Sequence, residues 1–314
     1  MTVLDSAPLD VLDAYRTCEF ATLGRDGTPL TWPTAVRRHE DGTLRLTTSL
    51  AFAQKALNVR RDGRVALLFS DPTGSGLGDA PQIFVGGRAE CPDDIRTGPE
   101  DLEDYWRMLF ERQPHSRSYL SWPMRRLMDW YYLRLVITVA PEQVIVRPAS
   151  VPPLPQASAV AGGAPLPGAA QLAGYSTAVL GARDASGAPV LSRTRTAPVA
   201  GGFAVLPPDD RAVTTGPASL LVHRHDERLN HMRNALVRGE LCRTDEGWLL
   251  VPGKVLEPMG SGRPSDAPRV LRSTQRATDR YLERRGLARP RVRWDRFREV
   301  AASAARPGRS RWAS

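Results

Sequence analysis

What most constrains this chain is that one pattern of short strands and tight turns is written in it twice. In the first copy, Phe20-Ala21-Thr22-Leu23-Gly24 and residues 30–36 flank Arg25-Asp26-Gly27, a hairpin signal. Glu40-Asp41-Gly42 then leads into Leu44-Arg45-Leu46-Thr47-Thr48. Val65-Ala66-Leu67-Leu68-Phe69, residues 82–89 (interrupted by Gly86-Gly87) and residues 133–139 read as further strands. Helical spacing is confined to residues 10–16, 52–60 and 100–112. Many short strands joined by hairpins, with few helices, predict a small antiparallel barrel.

Residues 147–174, rich in Pro, Ala and Gly and without a periodic apolar face, predict a linker. Beyond it the order returns. Ala178-Val179-Leu180-Gly181 is set on Ala21-Thr22-Leu23-Gly24, Gly187-Ala188-Pro189 on Gly27-Thr28-Pro29, and Ala204-Val205-Leu206 on Leu44-Arg45-Leu46. Leu220-Leu221-Val222 falls on Leu67-Leu68-Phe69, and Val237-Arg238-Gly239 on Val85-Gly86-Gly87. Each match is short, but their shared order points to duplication of one domain. The expected fold is therefore mainly β (α+β): two split β-barrels in tandem, the second a degenerate copy, with a basic helical tail. The boundaries are 1–147 for the first barrel, 148–174 for the linker, 175–264 for the second barrel and 265–314 for the tail.

Lys55 is one of only two lysines among 43 basic residues, and it follows the strand end Thr47-Thr48-Ser49. Three hydroxyls and a compact ammonium suit a phosphate, which Lys binds as a point charge. The second copy reverses this chemistry. It has Pro207, Pro208 and Asp209 opposite the three hydroxyls, followed by Asp210, and Thr215 opposite Lys55. Proline removes an amide donor and carboxylates repel an anion, so the predicted anion site belongs to the first copy alone.

On these residues the segment 10–147 resembles the pyridoxamine 5′-phosphate oxidase-like family of flavin-binding split barrels. The residues that carry the resemblance are Phe20-Ala21-Thr22-Leu23-Gly24, Thr47-Thr48-Ser49 with Lys55, and Gln82-Ile83-Phe84-Val85-Gly86-Gly87. It implies that the strand holding Trp32, Pro33, Thr34 and Val36 runs beside a flavin ring. It also implies that Thr47, Thr48, Ser49 and Lys55 hold the cofactor phosphate, and that Gln82 touches the flavin. The cofactor implied is FMN, with deazaflavin or haem as alternatives. The implied assembly pairs two barrels around the site, as a homodimer or within one chain. The function implied is a flavin-dependent oxidoreductase acting on a small-molecule substrate. The alternative is a non-catalytic flavin- or haem-binding protein of the same fold. Such chemistry belongs to the cofactor, and no side chain stands out as a catalytic acid or base.

The remaining features bound the partners. The segment 265–314 holds 14 arginines against five acids and so carries the whole net charge of +9. It lacks a helix-turn-helix or zinc pattern, and nucleic acid is not the expected partner. Residues 268–285 form a basic amphipathic helix expected to pack on the second barrel. No apolar run approaches the ~20 residues of a membrane span, the first ten residues lack a cationic leader pattern, and the three cysteines are scattered. A cytoplasmic protein without membrane attachment is expected. His223 and His225 share one face of a strand, but no third ligand stands at a recognisable spacing, so no metal site is predicted. Trp106, Trp122 and Trp130-Tyr131-Tyr132 are expected to fill a core or interface more readily than a pocket wall.

Overall fold

The computed structural model describes residues 2–154, 166–257 and 264–305. The first copy contributes seven strands: β1 (Cys18–Leu23), β2 (Pro29–Thr34), β3 (Val36–Arg38), β4 (Leu44–Ser49), β5 (Arg64–Phe69), β6 (Gln82–Glu90) and β7 (Arg134–Arg147). The second contributes β8 (Ala178–Arg183), β9 (Pro189–Thr194), β10 (Ala197–Val199), β11 (Gly202–Val205), β12 (Thr214–Arg224), β13 (Arg233–Thr244) and β14 (Gly247–Leu256). The helices are α1 (Leu9–Ala14), α2 (Gln54–Arg61), α3 (Glu103–Arg112) and the single turns α4 (Met124–Leu127), α5 (Asp129–Tyr132) and α6 (Ala169–Leu172). Two C-terminal helices follow, α7 (Ala267–Glu283) and α8 (Trp294–Ala305).

The two antiparallel sheets have orders β2-β1-β5-β6-β7-β4-β3 and β10-β11-β14-β13-β12-β8-β9. In the first, β2 and β3 are separated by Ala35 alone yet sit at opposite ends of the order. A sheet whose two edges are joined by one residue must curl until they meet, which is a barrel split at that corner. The second sheet repeats the device between β9 and β10. The fold is two split barrels in tandem. Both copies also bulge at the same place, between Gly86 and Gly87 in β6 and between Arg238 and Gly239 in β13. A Cβ on Gly87 would stand 2.3 Å from the Ala140 carbonyl oxygen, and one on Gly239 would stand 2.0 Å from that of Val251. Close approach of backbones requires glycine at both.

The strand pairing corrects two of the sequence matches. β1 pairs Cys18 with Thr34, and β8 pairs Ala178 with Thr194, so Ala178 stands on Cys18 and Gly181 on Ala21, a shift of three. Leu46 faces Ile137 and Val205 faces Trp248, which sets Val205 on Leu46 and places Pro207 and Pro208 opposite Thr48 and Ser49. The second copy also runs from β11 to β12 without a counterpart of α2, so Lys55 has no equivalent there. Its prolines stand where the first copy has Thr48 and Ser49, and Asp209 and Asp210 follow directly after them.

Each barrel has its own core, and a third apolar cluster joins them. It brings Ala21, Leu30, Ala66, Leu68 and Phe84 against Val179, Leu191, Leu221 and Leu236. The barrels therefore pair within one chain. Polar contacts fix their register: Ser219 Oγ donates to the Pro29 carbonyl (2.6 Å), Arg64 to that of Ser186 (2.8 Å) and Arg147 to that of Leu191 (2.7 Å). Arg147 also pairs with Asp210 at 2.7 Å.

The C-terminal helices pack on the first barrel, not on the second as the sequence suggested. Tyr281, Leu282, Phe297, Val300 and Ala301 join the first core, and Phe297 lies against Trp106 with ring centroids 4.7 Å apart. Many of the tail's arginines are engaged there: Arg289 spans Asp129 and Asp279 at 2.7 Å each, and Arg285 pairs with Asp93. The linker segment 155–165 and the flanks of the tail at 258–263 and 306–314 lie outside the described residues. No helix among the described residues is long and apolar enough to cross a membrane.

Candidate functional site

A cleft of about 750 Å³ opens where β2, β4 and α2 of the first barrel meet the second barrel and α7. Its floor and walls bring together Trp32, Pro33, Thr34, Thr47, Thr48, Ser49 and Lys55. Two of the residues singled out in the sequence lie elsewhere. Val36 is 6% exposed and belongs to the first core. Gln82 turns its amide to the Pro148 carbonyl (3.2 Å) and lines a separate hollow with Arg147, Pro207, Pro208 and Asp210.

That hollow is the pseudo-symmetric partner of the cleft. The register that sets Val85 on Val237 also sets Gln82 on Asn234, and Asn234 lines the cleft. The second barrel thus contributes Asn234, with Leu229 and Met232, to the site of the first. The other hollow is lined by Pro207 and Pro208, and its Arg147 is already paired with Asp210. Of two hollows related by the duplication, one keeps unpaired cations.

The charge of the cleft comes from its cations. Lys55 Nζ donates to Thr34 Oγ1 (3.3 Å) and lies 5.6 Å from the Trp32 ring centroid. Burial, and next the Arg134 guanidinium, push the Lys55 ammonium down to about 8 from an ordinary 10.5. Arg134 is 9% exposed and stacks on Tyr131 at 4.3 Å, and its Nε has no hydrogen-bond partner. Neither cation makes an ion pair among the described residues. Buried charges left unpaired are expensive, and Arg134 adds repulsion at Lys55. The hydroxyls are less free than the sequence suggested: Thr47 donates to Tyr105 Oη (3.2 Å) and Thr48 to the Phe52 carbonyl (2.8 Å).

Aromatic surface borders these cations. Trp130 and Tyr131 line the cleft, and Trp130 Nε1 is a buried donor without a partner. Trp106 and Tyr132 are core residues, stacked 5.3 Å apart, whereas Trp122 is exposed. Arg280 and Tyr281 of α7, with Arg284 and Arg285 directly after it, also line the cleft. Sequence reasoning missed Arg134, Asn234 and these arginines as parts of this site. Asn234 alone had a signal, its place in the repeat; the others are positioned by tertiary packing.

Fold and cleft together define a tandem split barrel with one cationic, aromatic-walled cleft between its halves. Solved structures to which the chain is similar include a putative pyridoxamine 5′-phosphate oxidase from Listeria innocua (18% identity, 44% of this chain and 93% of the other, TM-score 0.30). They also include an F420 reductase (20%, 43% and 93%, TM-score 0.27) and the haem-storage protein HutZ from Vibrio cholerae (14%, 47% and 96%, TM-score 0.32). No family model and no curated protein matches the chain.

Proposed function

We propose that the chain is a flavin-dependent oxidoreductase that holds one FMN or deazaflavin per chain in the cleft between its barrels. The observation that carries this reading is the pair of half-buried to buried cations, Lys55 and Arg134, left without a counter-ion beside aromatic walls. A phosphate would accept from both, relieving their mutual repulsion. A planar heteroaromatic ring fits beside Trp32, Pro33 and Trp130, where the unpartnered indole N–H offers a donor. Bound flavin supplies hydride or electron transfer; the protein supplies the phosphate anchor, the ring's position and partial exclusion of water. Asn234 would replace Gln82 as the amide facing the cofactor, contributed by the partner barrel. Arg280 and Arg284, which line the same cleft, favour a cofactor tail or substrate carrying negative charge.

A non-catalytic haem-binding role fits this cleft less well, because none of the chain's five histidines lines it. The test is an absorbance spectrum of the purified protein with mass spectrometry of the small molecule released on denaturation. It is followed by reduction with a nicotinamide donor and reoxidation by an acceptor. A bound flavin that cycles supports the enzyme. A bound flavin that cannot be reduced supports a carrier, and a protein that binds neither FMN nor deazaflavin refutes the reading.

A further inference from the structure

Away from the cofactor phosphate, three ligand-type side chains from both barrels converge at the interface. His223 lies in β12 and His225 just beyond it, two residues apart on an extended strand and so on one face. Their rings are stacked 6.1 Å apart at 19°. Asp71, just after β5 of the first barrel, brings Oδ2 to 3.7 Å from His223 Nδ1 and 3.6 Å from His225 Nε2. All three candidate ligand atoms lie within 4.8 Å of one another. The His223 and His225 side chains are 2% and 0% exposed, and that of Asp71 is 14% exposed.

The proton positions make this cluster more than a polar contact. His223 Nε2 lies 2.8 Å from Glu19 Oε1, and an ionised carboxylate only accepts, so this nitrogen carries the proton. Its Nδ1 then presents a lone pair and has no hydrogen-bond partner although buried. His225 Nδ1 lies 2.9 Å from the Asp226 carbonyl oxygen, which likewise requires a proton there and leaves on Nε2 a lone pair that accepts from the Thr17 hydroxyl at 3.2 Å. Two imidazole lone pairs and a carboxylate oxygen therefore face one another. A proton on His223 Nδ1 would not resolve this, since 3.7 Å to Asp71 is too long for a hydrogen bond.

We propose that Asp71, His223 and His225 bind a divalent transition-metal ion, of the zinc class, that clips the two barrels together. Ligand bonds of ~2.0–2.2 Å in a tetrahedral site hold neighbouring donors ~3.4 Å apart. The two histidine–aspartate spacings need only slight contraction to reach this, and the two imidazole nitrogens start within 4.8 Å of each other. Two imidazoles and one carboxylate suit zinc and its borderline neighbours better than calcium or magnesium. The surrounding contacts are those that orient metal ligands. Glu19, which holds the His223 ring, is itself fixed by Arg193 at 2.8 Å and Ser70 at 3.0 Å. The second carboxylate oxygen of Asp71 accepts from the Thr73 amide (3.1 Å). Thr17 Oγ1, 3.2 Å from His225 Nε2, also lines the cofactor cleft, so the clip stands directly behind that site. The sequence showed the histidine pair but not its third member, because Asp71 is supplied by the other barrel.

The test uses the full chain, stripped with a chelator and free of cofactor, so its outcome does not depend on the flavin reading. Zn²⁺ added to the stripped protein should bind at one equivalent in calorimetry and raise Tm as free Zn²⁺ increases. Co²⁺ should give a visible absorption band that Zn²⁺ displaces. Asp71→Asn and His225→Gln should each weaken binding at least tenfold, while His231→Gln, in the exposed loop nearby, should leave it unchanged. Stripped wild-type protein that binds no stoichiometric Zn²⁺ overturns the proposal, whatever the variants do. So does an Asp71→Asn protein that binds Zn²⁺ as the wild type does, or loss of binding in His231→Gln.

Discussion

Replacing Lys55 by Met should make the cofactor-free protein more stable and the cofactor weaker, two effects of opposite sign from one side chain. The Lys55 ammonium stands at about 8 in the folded protein against 10.5 for an ordinary lysine, chiefly because it is buried. At 1.36 kcal/mol per pH unit this is a folding penalty of ~3 kcal/mol at neutral pH. Methionine removes that penalty, but also the Trp32 contact and the Thr34 hydrogen bond, worth about 0.5–1 kcal/mol each. The net gain for the cofactor-free variant is on the order of 1–2 kcal/mol, a rise of a few degrees in Tm. Because the folded pKa lies below the unfolded one, the unfolded chain holds the extra proton between about pH 8 and 10.5. Cofactor-free wild type should therefore gain stability as pH rises through that window, and the variant should lose this dependence. Binding moves the other way. Loss of a charge-assisted contact of about 1.5–3 kcal/mol weakens the cofactor roughly 10- to 150-fold. Denaturant unfolding at pH 7 and at pH 10, with fluorescence titration of FMN, measures both. A variant that binds FMN like the wild type, or that is less stable than wild type without it, refutes the view of Lys55 as an uncompensated cation awaiting an anion.

Three further outcomes follow from the asymmetry of the two copies. Cofactor titration should saturate at one equivalent per chain, and a second equivalent of comparable affinity would contradict the closure of the hollow at Pro207–Asp210. Asn234→Ala should weaken cofactor binding by about 1 kcal/mol, roughly fivefold, while Gln82→Ala leaves it unchanged, since only Asn234 faces the cleft. Equal effects in the two titrations would reverse that assignment. Arg147→Met should cost about 2 kcal/mol in denaturant unfolding by removing the Asp210 pair and the Leu191 hydrogen bond across the interface. It should not change the cofactor's Kd.

The local half of this protein was legible in its sequence. Asp-Gly turns between alternating apolar runs specify hairpins, so most strands of the first barrel could be read along the chain, although residues 30–36 read as one strand where the fold breaks at Ala35. The periodic apolar face of residues 268–285 specified a helix now seen as α7. The duplication was also legible, because the glycines at the β6 and β13 bulges answer a backbone clash that any copy of the fold must avoid. The chemistry of the anion site was half legible: Lys55 stood out as a lysine among arginines, and the prolines and acids of the second copy marked which half had lost the site.

What only tertiary structure decided is whatever depends on one segment meeting a distant one. The repeat matches slipped by one and by three residues, because short apolar strings fit several registers until strand pairing selects one. Arg134 joined Lys55 because β7 pairs with β4 and leaves it among aromatic rings with no carboxylate nearby. The tail's apolar face matches either barrel in composition; it docked on the first, where Tyr281 and Phe297 complete a core and Asp93 and Asp129 await its arginines. Gln82 and Asn234 exchanged places, and Asp71 joined His223 and His225, for one physical reason. The second barrel folds back onto the first, and burial of the shared apolar face between β1, β5, β8 and β12 fixes which side chains complete each other's sites.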